Sequence, residues 1–157
     1  MLYTKNFASR PIGKLYRDYT AIETTLKSEI TASFARHADL PFLTSIDDEV
    51  FEPKELIKKF VKGKSILIFR ISHHIIGCGF ITKIHPEYSY YDLGVWVHPR
   101  HRLQGYAIHI LSYLKTLCIK KKGIPVCGCD INNTGSQKAL HKAGFSSHHV
   151  LFEFSVS

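Results

Sequence analysis

Acidic residues are scarce in this chain of 157 residues, in which 13 Asp and Glu stand against 21 Lys and Arg and leave a formal net charge of +8. An excess of this size indicates an anionic partner, which could be a polyphosphate cofactor, an acidic protein or a nucleic acid. Much of the charge is dispersed in runs such as KKFVKGK and KKKG, which are typical of solvated helix ends. The basic residues also lack the interleaved exposed aromatic residues of single-strand binders, which disfavours a nucleic-acid partner.

The sequence contains no apolar run long enough to cross a membrane. The longest runs, SILIF and LGVWV, are strand-sized, whereas a membrane span needs roughly 20 apolar residues. The N-terminal segment shows neither an apolar signal core nor a small-residue cleavage site. We therefore expect a cytoplasmic protein that does not associate with membranes.

Closely spaced ligand pairs for a metal ion are also missing. The four cysteines lie in apolar stretches and form no CxxC motif: Cys78, Cys118, Cys127 and Cys129. Because a free cysteine packs as a small hydrophobic residue, we expect buried, reduced thiols rather than a zinc site. The spacings of His98, His101 and His109 straddle a loop and a helix without a carboxylate pattern, so we predict no bound metal.

Hydrophobic periodicity predicts one α+β domain over residues 1–157. Apolar residues recur every three to four positions from Lys14 to His37, which is typical of a helix, and the first dozen residues could add a short strand. The order that follows is helix, three strands, helix, strand, helix, strand: PKELIKKFVKG, SILIFRIS, IIGCGFITKIH, YSYYDLGVWVH, residues 105–122, IPVCGCDI, TGSQKALHKAG and HVLFEFSV. Antiparallel strands that lead into strand–helix units imply a mixed, mostly antiparallel sheet with helices on both faces.

The segment HPRHRLQGYAIHIL, residues 98–111, joins a predicted strand to a predicted helix through a basic loop. Gly105 carries no side chain and lets a ligand approach the backbone. The helix that follows presents unpaired N–H groups and the positive end of its dipole, and Arg102 adds a charged donor. The segment therefore predicts a phosphate site, although a solvated strand–helix turn would carry the same residues.

A second segment, NNTGSQKALHKAGF (132–145), predicts a capped helix. Asn133 or Thr134 would cap its start, and Gly144 would end it. Because Asn133 directly follows a predicted strand, its side chain would project from the strand end beside the preceding helix. A helix cap alone would also explain this residue.

Together the two segments resemble the GNAT superfamily of N-acetyltransferases. The acyl-CoA loop of that family reads R/Q-x-x-G-x-G/A and is similar to RLQGYA, from Arg102 to Ala107. The later family signatures N-x-x-S and K-x-G-F are similar to NTGS, from Asn133 to Ser136, and to KAGF, which ends at Phe145. The resemblance covers roughly residues 65–145, and it implies a GNAT-like fold for the single domain.

The resemblance also implies acetyl-CoA as the acyl donor. The amides from Leu103 to Ile108 would hold the pyrophosphate, with Arg102 and Gln104 nearby. The strand edge at residues 95–97 would pair with the pantetheine arm, in a splay between this strand and IPVCGCDI. Asn133 would form a hydrogen bond with the pantetheine.

A basic side chain of the last helix completes the implied coenzyme site, since Lys138 or Lys142 could face the 3′-phosphate. The net positive charge fits a highly anionic coenzyme. The residues predicted to bind the coenzyme are Val95, Trp96, Val97, Arg102, Leu103, Gln104, Gly105, Tyr106, Ala107, Ile108, Asn133, Ser136 and Lys142.

The resemblance implies direct attack of an amine on the thioester. Because an alkylammonium with a pKa near 10 is protonated at neutral pH, a proton must leave before the attack. Asp92, ten positions before Arg102, is the candidate base, or it binds the substrate ammonium without abstracting a proton. It could also merely pair with an arginine or cap a bulge near Gly94. The acceptor would be a primary amine of unspecified class.

Three features depart from the family pattern. Leu140 occupies the position of the tyrosine that many relatives use to protonate the departing thiolate, and leucine cannot donate a proton. Leu103 replaces a glycine beside Arg102, which leaves binding through backbone amides intact. Only one clear strand follows Phe145, where the family builds two. Either FSSHH forms a stub or a neighbouring subunit completes the sheet, which makes a homodimer a reasonable hypothesis.

The leading interpretation is an acetyl-CoA-dependent N-acetyltransferase. Leu140 motivates a first alternative, a non-catalytic acyl-CoA sensor on the same fold. Such a sensor would bind the coenzyme without turnover, and Asp92→Asn would not change its binding. The net charge motivates a second alternative, a nucleic-acid binding module, whose affinity would fall steeply with salt.

Overall fold

The computed structural model describes residues 7–20 and 26–156. Short 3₁₀ turns cover residues 37–39, 49–51 and 99–101. No helix in the described residues combines the length and the hydropathy needed to cross a membrane, and α3, the longest, has 15 residues. The elements are β1 (Phe7–Asp18), β2 (Ile30–Phe34), α1 (Leu40–Ser45), α2 (Glu55–Lys62), β3 (Ile66–Ile71), β4 (His74–Lys83), β5 (Tyr90–Val97), α3 (Tyr106–Lys120), β6 (Ile124–Asp130), α4 (Thr134–Lys142) and β7 (Phe145–Val156).

The strands form one sheet in the order β2-β3-β4-β5-β6-β1-β7. Neighbouring strands are antiparallel except β5 and β6, which run parallel. Helices α3 and α4 cover one face of the sheet and α1 and α2 cover the other, with an apolar core under each pair. On β5, Leu93 packs toward α3, whereas Trp96 packs toward α1 and α2. The predicted mixed, mostly antiparallel sheet with helices on both faces is confirmed.

The predicted helix from Lys14 to His37 is wrong, because its ends are the strands β1 and β2. Its middle, residues 21–25, lies outside the described residues. In β1 burial alternates with a period of two, since Tyr16 is buried while Leu15 is exposed. β1 has a partner strand on each side, and this long-range pairing outweighs the helical spacing of its apolar residues.

Strand β1 also completes the sheet beyond β6. Leu15 pairs with Gly128 of β6 on one side and with His149 of β7 on the other. FSSHH is not a separate stub, because it forms the first part of the continuous strand β7. β1 thus takes the place of the second C-terminal strand that the family pattern led us to expect. Because β1 belongs to the same chain, the sheet does not need a second subunit to complete it.

The second half of the chain follows the predicted order of hairpin, strand, helix, strand, helix and strand. Gly79 of β4 lets α3 pack closely on the sheet. A Cβ at this position would lie 2.8 Å from one methyl carbon of Leu114 and 3.0 Å from the ring of Phe69. The middle of α3 is therefore held against the sheet.

A buried ion pair joins α3 to α4 and β1. Lys115 Nζ donates a 2.9 Å hydrogen bond to the carbonyl oxygen of Ala143, which follows α4, and lies 3.7 Å from Oδ1 of Asp18. Both charged side chains are almost completely inaccessible to solvent. Since a buried charge is costly without its partners, this cluster fixes where α4 ends relative to α3.

Candidate active site

Strands β5 and β6 separate near the centre of the sheet. Their parallel pairing runs from Tyr90 opposite Ile124 to Asp92 opposite Val126, and no further pair forms between the two strands as described. A cleft of about 660 Å³ opens beyond this point, between the end of β5, the first turn of α3 and α4. The splay that the resemblance implied is therefore present.

All but one of the residues predicted to bind the coenzyme line this cleft. The exception is Gln104, whose side-chain amide donates a 3.2 Å hydrogen bond to the carbonyl oxygen of Arg100 and so braces the loop. Trp96 contributes to the cleft, although its ring packs on the opposite side of the sheet. The predicted residues in the lining are Val95, Trp96, Val97, Arg102, Leu103, Gly105, Tyr106, Ala107, Ile108, Asn133, Ser136 and Lys142.

The loop before α3 exposes a row of backbone amides. Leu103 and Gly105 both have positive φ, at 63° and 82°. Within the described chain, no N–H group from Leu103 to Ala107 donates to a protein acceptor. These donors lie at the positive end of the α3 dipole, which makes the loop a ready anion site.

The positive φ of Leu103 explains why many relatives carry a glycine at this position, next to the basic residue that corresponds to Arg102. A side chain in the left-handed region costs about 1 kcal/mol or more, and glycine avoids that cost. The side chain of Leu103 is fully exposed at the rim of the cleft, so it gains no packing in return. Leucine in place of the family's glycine therefore strains the backbone at position 103.

Arg102 ties the loop to the end of β5. Its Nε donates a 3.1 Å hydrogen bond to the carbonyl oxygen of Val97, and its guanidinium lies 3.6 Å from the Asp48 carboxylate. The carbonyl that Arg102 engages belongs to the strand edge implied to pair with pantetheine. In this structure Arg102 is therefore a brace for the loop as well as a positive charge at the cleft.

The basic loop carries a positive field. Burial, followed by the positive charges of His101, Arg100 and Arg102, lowers the pKa of His98. The Nδ1 atom of His98 accepts a 3.3 Å hydrogen bond from the backbone N–H of Arg100, which holds the turn closed. An anion at this loop would therefore meet a positive field. Among the described ion pairs, Asp48 is the one carboxylate that lies against a basic residue of the loop.

Helix α4 forms the other wall of the cleft. The side-chain oxygen of Asn133 accepts a 3.0 Å hydrogen bond from the backbone N–H of Ser136 and so caps the helix, as predicted. The amide nitrogen of Asn133 remains available to a ligand. Lys138 and Lys142 both line the cleft, and Leu140 reaches its floor as a buried residue.

Asp92 lies at the point where the two strands part. It is the last residue of β5 to pair with β6, and its neighbours Leu93 and Gly94 line the cleft although Asp92 does not. Strand alternation directs its side chain to the face of Trp96, opposite α3. The residue keeps solvent contact, but the surrounding protein partly desolvates its carboxylate and raises its pKa.

The four cysteines are free thiols, and three are buried. Burial raises the pKa of Cys78 to about 12 and that of Cys118 to about 11, and it raises the pKa of Cys127 well above the ordinary value. These thiols therefore stay protonated and unreactive. In the described ranges, no three His, Cys, Asp or Glu side chains are grouped as metal ligands would be.

Residues 26–146 match the family model described as "Acetyltransferase (GNAT) domain". The match spans most of the chain and includes the cleft, the basic loop and both predicted motifs. The chain belongs to the GNAT acetyltransferase family. No curated protein sequence matches this GNAT chain at a significant level.

Solved GNAT structures share the fold at low sequence identity. An acetyltransferase from Colwellia psychrerythraea is 22% identical, with a TM-score of 0.82, and the match covers 96% of this chain and 57% of that one. The chain thus spans little more than half the length of this relative. A Salmonella typhimurium acetyltransferase solved with its cofactor acetyl-CoA is 17% identical, with a TM-score of 0.65 and coverage of 83% and 94%. Spermidine N-acetyltransferase from Vibrio cholerae, solved with CoA and spermine, is 14% identical, with a TM-score of 0.64 and coverage of 83% and 96%.

Several residues of this GNAT cleft carry no signal in the sequence. Val50, in the 3₁₀ turn before α2, and Asp48, which caps that turn, line the cleft, and Asp48 pairs with Arg102. The segment TSIDDE reads as a helix breaker, and nothing in its composition links it to a motif more than fifty positions away. Gly128 of β6 also lines the cleft, and only the splay of the strands brings it there.

Proposed function

We propose that this protein transfers an acetyl group from acetyl-CoA to a primary amine. The observation that carries the proposal is the presence of an unpaired strand edge and a row of unpartnered amides in one cleft. The amides suit a diphosphate, and the strand edge suits the amide-containing pantetheine arm. A GNAT neighbour solved with acetyl-CoA supports this donor.

The diphosphate of the coenzyme would accept hydrogen bonds from the amides of Leu103 to Ala107. The Ile108 amide, which the resemblance also implied, donates instead to the carbonyl oxygen of Gly105. Arg102 already engages the carbonyl of Val97, so the pantetheine would pair chiefly with the backbone of Val95. Asn133 would donate from its amide nitrogen, because its side-chain oxygen serves the helix cap. Ser136 would lie beside it at the start of α4.

A lysine of α4, Lys138 or Lys142, would meet the 3′-phosphate. Both line the cleft and neither is engaged in a described ion pair. Charge-assisted hydrogen bonds to a phosphate are about twice as strong as neutral ones. The formal net charge of +8 adds long-range attraction for the anionic coenzyme.

In the proposed reaction the acceptor loses its ammonium proton, and the nitrogen lone pair attacks the thioester carbonyl carbon. The C–N bond forms, the C–S bond breaks, and the electron pair leaves with the sulfur. The nitrogen then releases its second proton to the thiolate or to water, which leaves a neutral amide. Asp92 would take the ammonium proton of the acceptor, directly or through water. Its position at the split between β5 and β6 and its raised pKa both support this role, because a more basic carboxylate accepts a proton more readily.

The thiolate would leave as the anion. Leu140 lies in the floor of the cleft and has no proton to donate. A thiol with an ordinary pKa near 8.5 is a tolerable leaving group without an acid. The same leucine favours the second candidate function, a sensor that binds acyl-CoA without turnover.

The acceptor is proposed to be an amine that approaches from the face of α1 and α2, because the side chain of Asp92 is directed to that face. The Vibrio neighbour is solved with spermine, a polyamine, which supports an amine acceptor. A cytoplasmic location, as the sequence predicts, would supply the coenzyme.

The test is release of free thiol from acetyl-CoA with a panel of polyamines, amino acids and peptides, using the full chain and its Asp92→Asn variant. Acetyl transfer by the wild type, with kcat reduced at least tenfold in the variant, supports a base. An increase in KM with unchanged kcat supports ammonium binding instead. Coenzyme binding without transfer to any amine favours the sensor.

A further inference from the structure

The β1–β7 end of the sheet exposes several large apolar side chains. Six large apolar side chains there are between 38% and 68% exposed. They lie on two adjacent strands and on both faces of the sheet, whereas scattered single exposures need no explanation. The six are Ile12, Leu15, Val150, Leu151, Phe152 and Phe154.

Strand β7 forms the edge of this surface and has β1 as its single partner in the described sheet. It has 12 residues and contains neither proline nor lysine. From His149 onward β7 itself has no inserted residue, since the register shift between Pro11 and Gly13 places the extra residue in β1. The opposite edge, β2, has 5 residues. A long, unprotected apolar edge strand is a template for pairing with another strand.

We propose that β7 pairs antiparallel with β7 of a second copy of this chain, about a twofold axis that passes through Leu151. In this register Leu151 meets the partner's Leu151, and Val150 meets the partner's Phe152 on the face of α4. His149 meets the partner's Glu153 on the other face, once on each side of the axis. The interface is isologous and closed, so it forms a dimer rather than a fibre.

The sequence of β7 favours this register over its neighbours. Residues that lie directly opposite each other in an antiparallel pair must point to the same face of the sheet. The twofold axis therefore passes through a residue, and the neighbouring registers move the axis by one residue along β7. An axis through Val150 would place Glu153 opposite the partner's Ser147. An axis through Phe152 would place the Glu153 carboxylate opposite the partner's Leu151. The axis through Leu151 gives both an apolar match and a charge match.

Glu153 is already oriented by its own chain, since Arg10 Nε donates a 2.6 Å hydrogen bond to its carboxylate. This ion pair is exposed and leaves one carboxylate oxygen for the partner's His149. β7 is separated from the candidate active site by β1 and β6, so the dimer would leave both clefts open. The inference is therefore independent of the proposed chemistry.

The first test combines sedimentation velocity with single cysteine substitutions under mild oxidation. We expect a dimer for the wild type and a disulfide-linked dimer for Leu151→Cys, because the axis brings the two copies of that residue together. Val150→Cys and Phe152→Cys are matched controls that should not cross-link. A monomeric wild type at concentrations up to about a hundred micromolar, or cross-linking through either control instead, would overturn the proposal.

A charge exchange gives the second test. Glu153→Lys should weaken the dimer at least tenfold, as should His149→Glu, and the double variant should restore it. Glu87→Lys, an equal change of charge at an exposed turn away from β7, should leave it unchanged. If the double variant dimerises no better than the single ones, the register is wrong.

Discussion

Arg102 and Val97 are joined by a side-chain hydrogen bond of 3.1 Å between Nε and the carbonyl oxygen, across the loop that separates β5 from α3. The bond fixes the amides of that loop relative to the strand edge beside the cleft. Because the donors of an anion site act best when they are held in place, this contact links the two halves of the proposed coenzyme site.

Replacement of Arg102 by methionine should weaken binding of acetyl-CoA about tenfold or more with little loss of stability. The hydrogen bond to Val97 and a positive charge at the cleft are both lost, but the ion pair with Asp48 is partly exposed and contributes under about 1 kcal/mol. Calorimetric titration gives the affinity, and urea denaturation gives the free energy of unfolding. Asp48→Asn is the control, since it removes the ion pair but leaves the hydrogen bond from Arg102 to Val97, and it should not lower the affinity. Equal losses in the two variants would contradict the account.

Replacement of Leu103 by glycine should give a more stable protein than replacement by alanine. At a φ of 63° alanine keeps the strain of the left-handed region and glycine removes it, so the difference should be about 1 kcal/mol. Thermal denaturation of the two variants measures this difference. An alanine variant as stable as the glycine variant would mean that the loop is not strained.

Replacement of Gly79 by alanine should lower the free energy of unfolding by about 1 to 3 kcal/mol through overpacking. Its Cβ would lie 2.8 Å and 2.9 Å from the two methyl carbons of Leu114. Gly128→Ala is the matched strand control, because its Cβ would meet nothing within 4 Å. Urea denaturation of both variants decides the point, and similar stabilities would refute close packing of α3 on β4.

Asp92 should make stability fall as pH rises. Its pKa is raised in the folded state by desolvation, from an ordinary value of 3.8. Between the ordinary pKa of the unfolded state and the raised pKa of the folded state, the folded protein binds more protons than the unfolded chain. The contribution of this carboxyl to the free energy of unfolding is therefore present at low pH and lost above its folded pKa. Asp92→Asn should therefore be more stable than the wild type at pH 7, and the gain should fade as the pH approaches about 4.

Denaturation of the wild type and Asp92→Asn across this range measures the effect, with the exposed Asp47→Asn as the control. A variant that gains stability while it loses turnover would identify Asp92 as a residue kept for function. A gain that is the same at every pH would exclude desolvation as its cause.

The sequence was sufficient for α2 and for the elements from β3 onward, and insufficient for β1, β2 and α1. The hairpin β3–β4 and the helices α3 and α4 carry local signals, namely strand-sized apolar runs, a cap at Asn133 and a glycine after α4. β1 carries the spacing of an amphipathic helix and becomes a strand because β6 and β7 flank it. That pairing joins residues more than a hundred positions apart and has no local signature.

The site divides in the same way. Motif residues such as Arg102 and Asn133 were predicted, since chemistry at a strand end and a helix start follows from short spacing. The bond from Arg102 to Val97 and the contact with Asp48 depend on how loops meet across the cleft. Periodicity does not encode such contacts, so the bracing role of Arg102 emerges from the structure alone.

Titration calorimetry with acetyl-CoA on the wild type, Gly105→Gln and Gly105→Glu tests the central claim most directly. Both variants carry the same strain at a φ of 82°, and both side chains begin in open space, so their difference isolates one negative charge at the proposed diphosphate site. We predict micromolar binding by the wild type and binding by Gly105→Glu that is weaker than that of Gly105→Gln by at least about tenfold, or roughly 1.4 kcal/mol. Equal affinities of the two folded variants, or no binding by the folded wild type, would contradict the assignment of this loop to the coenzyme.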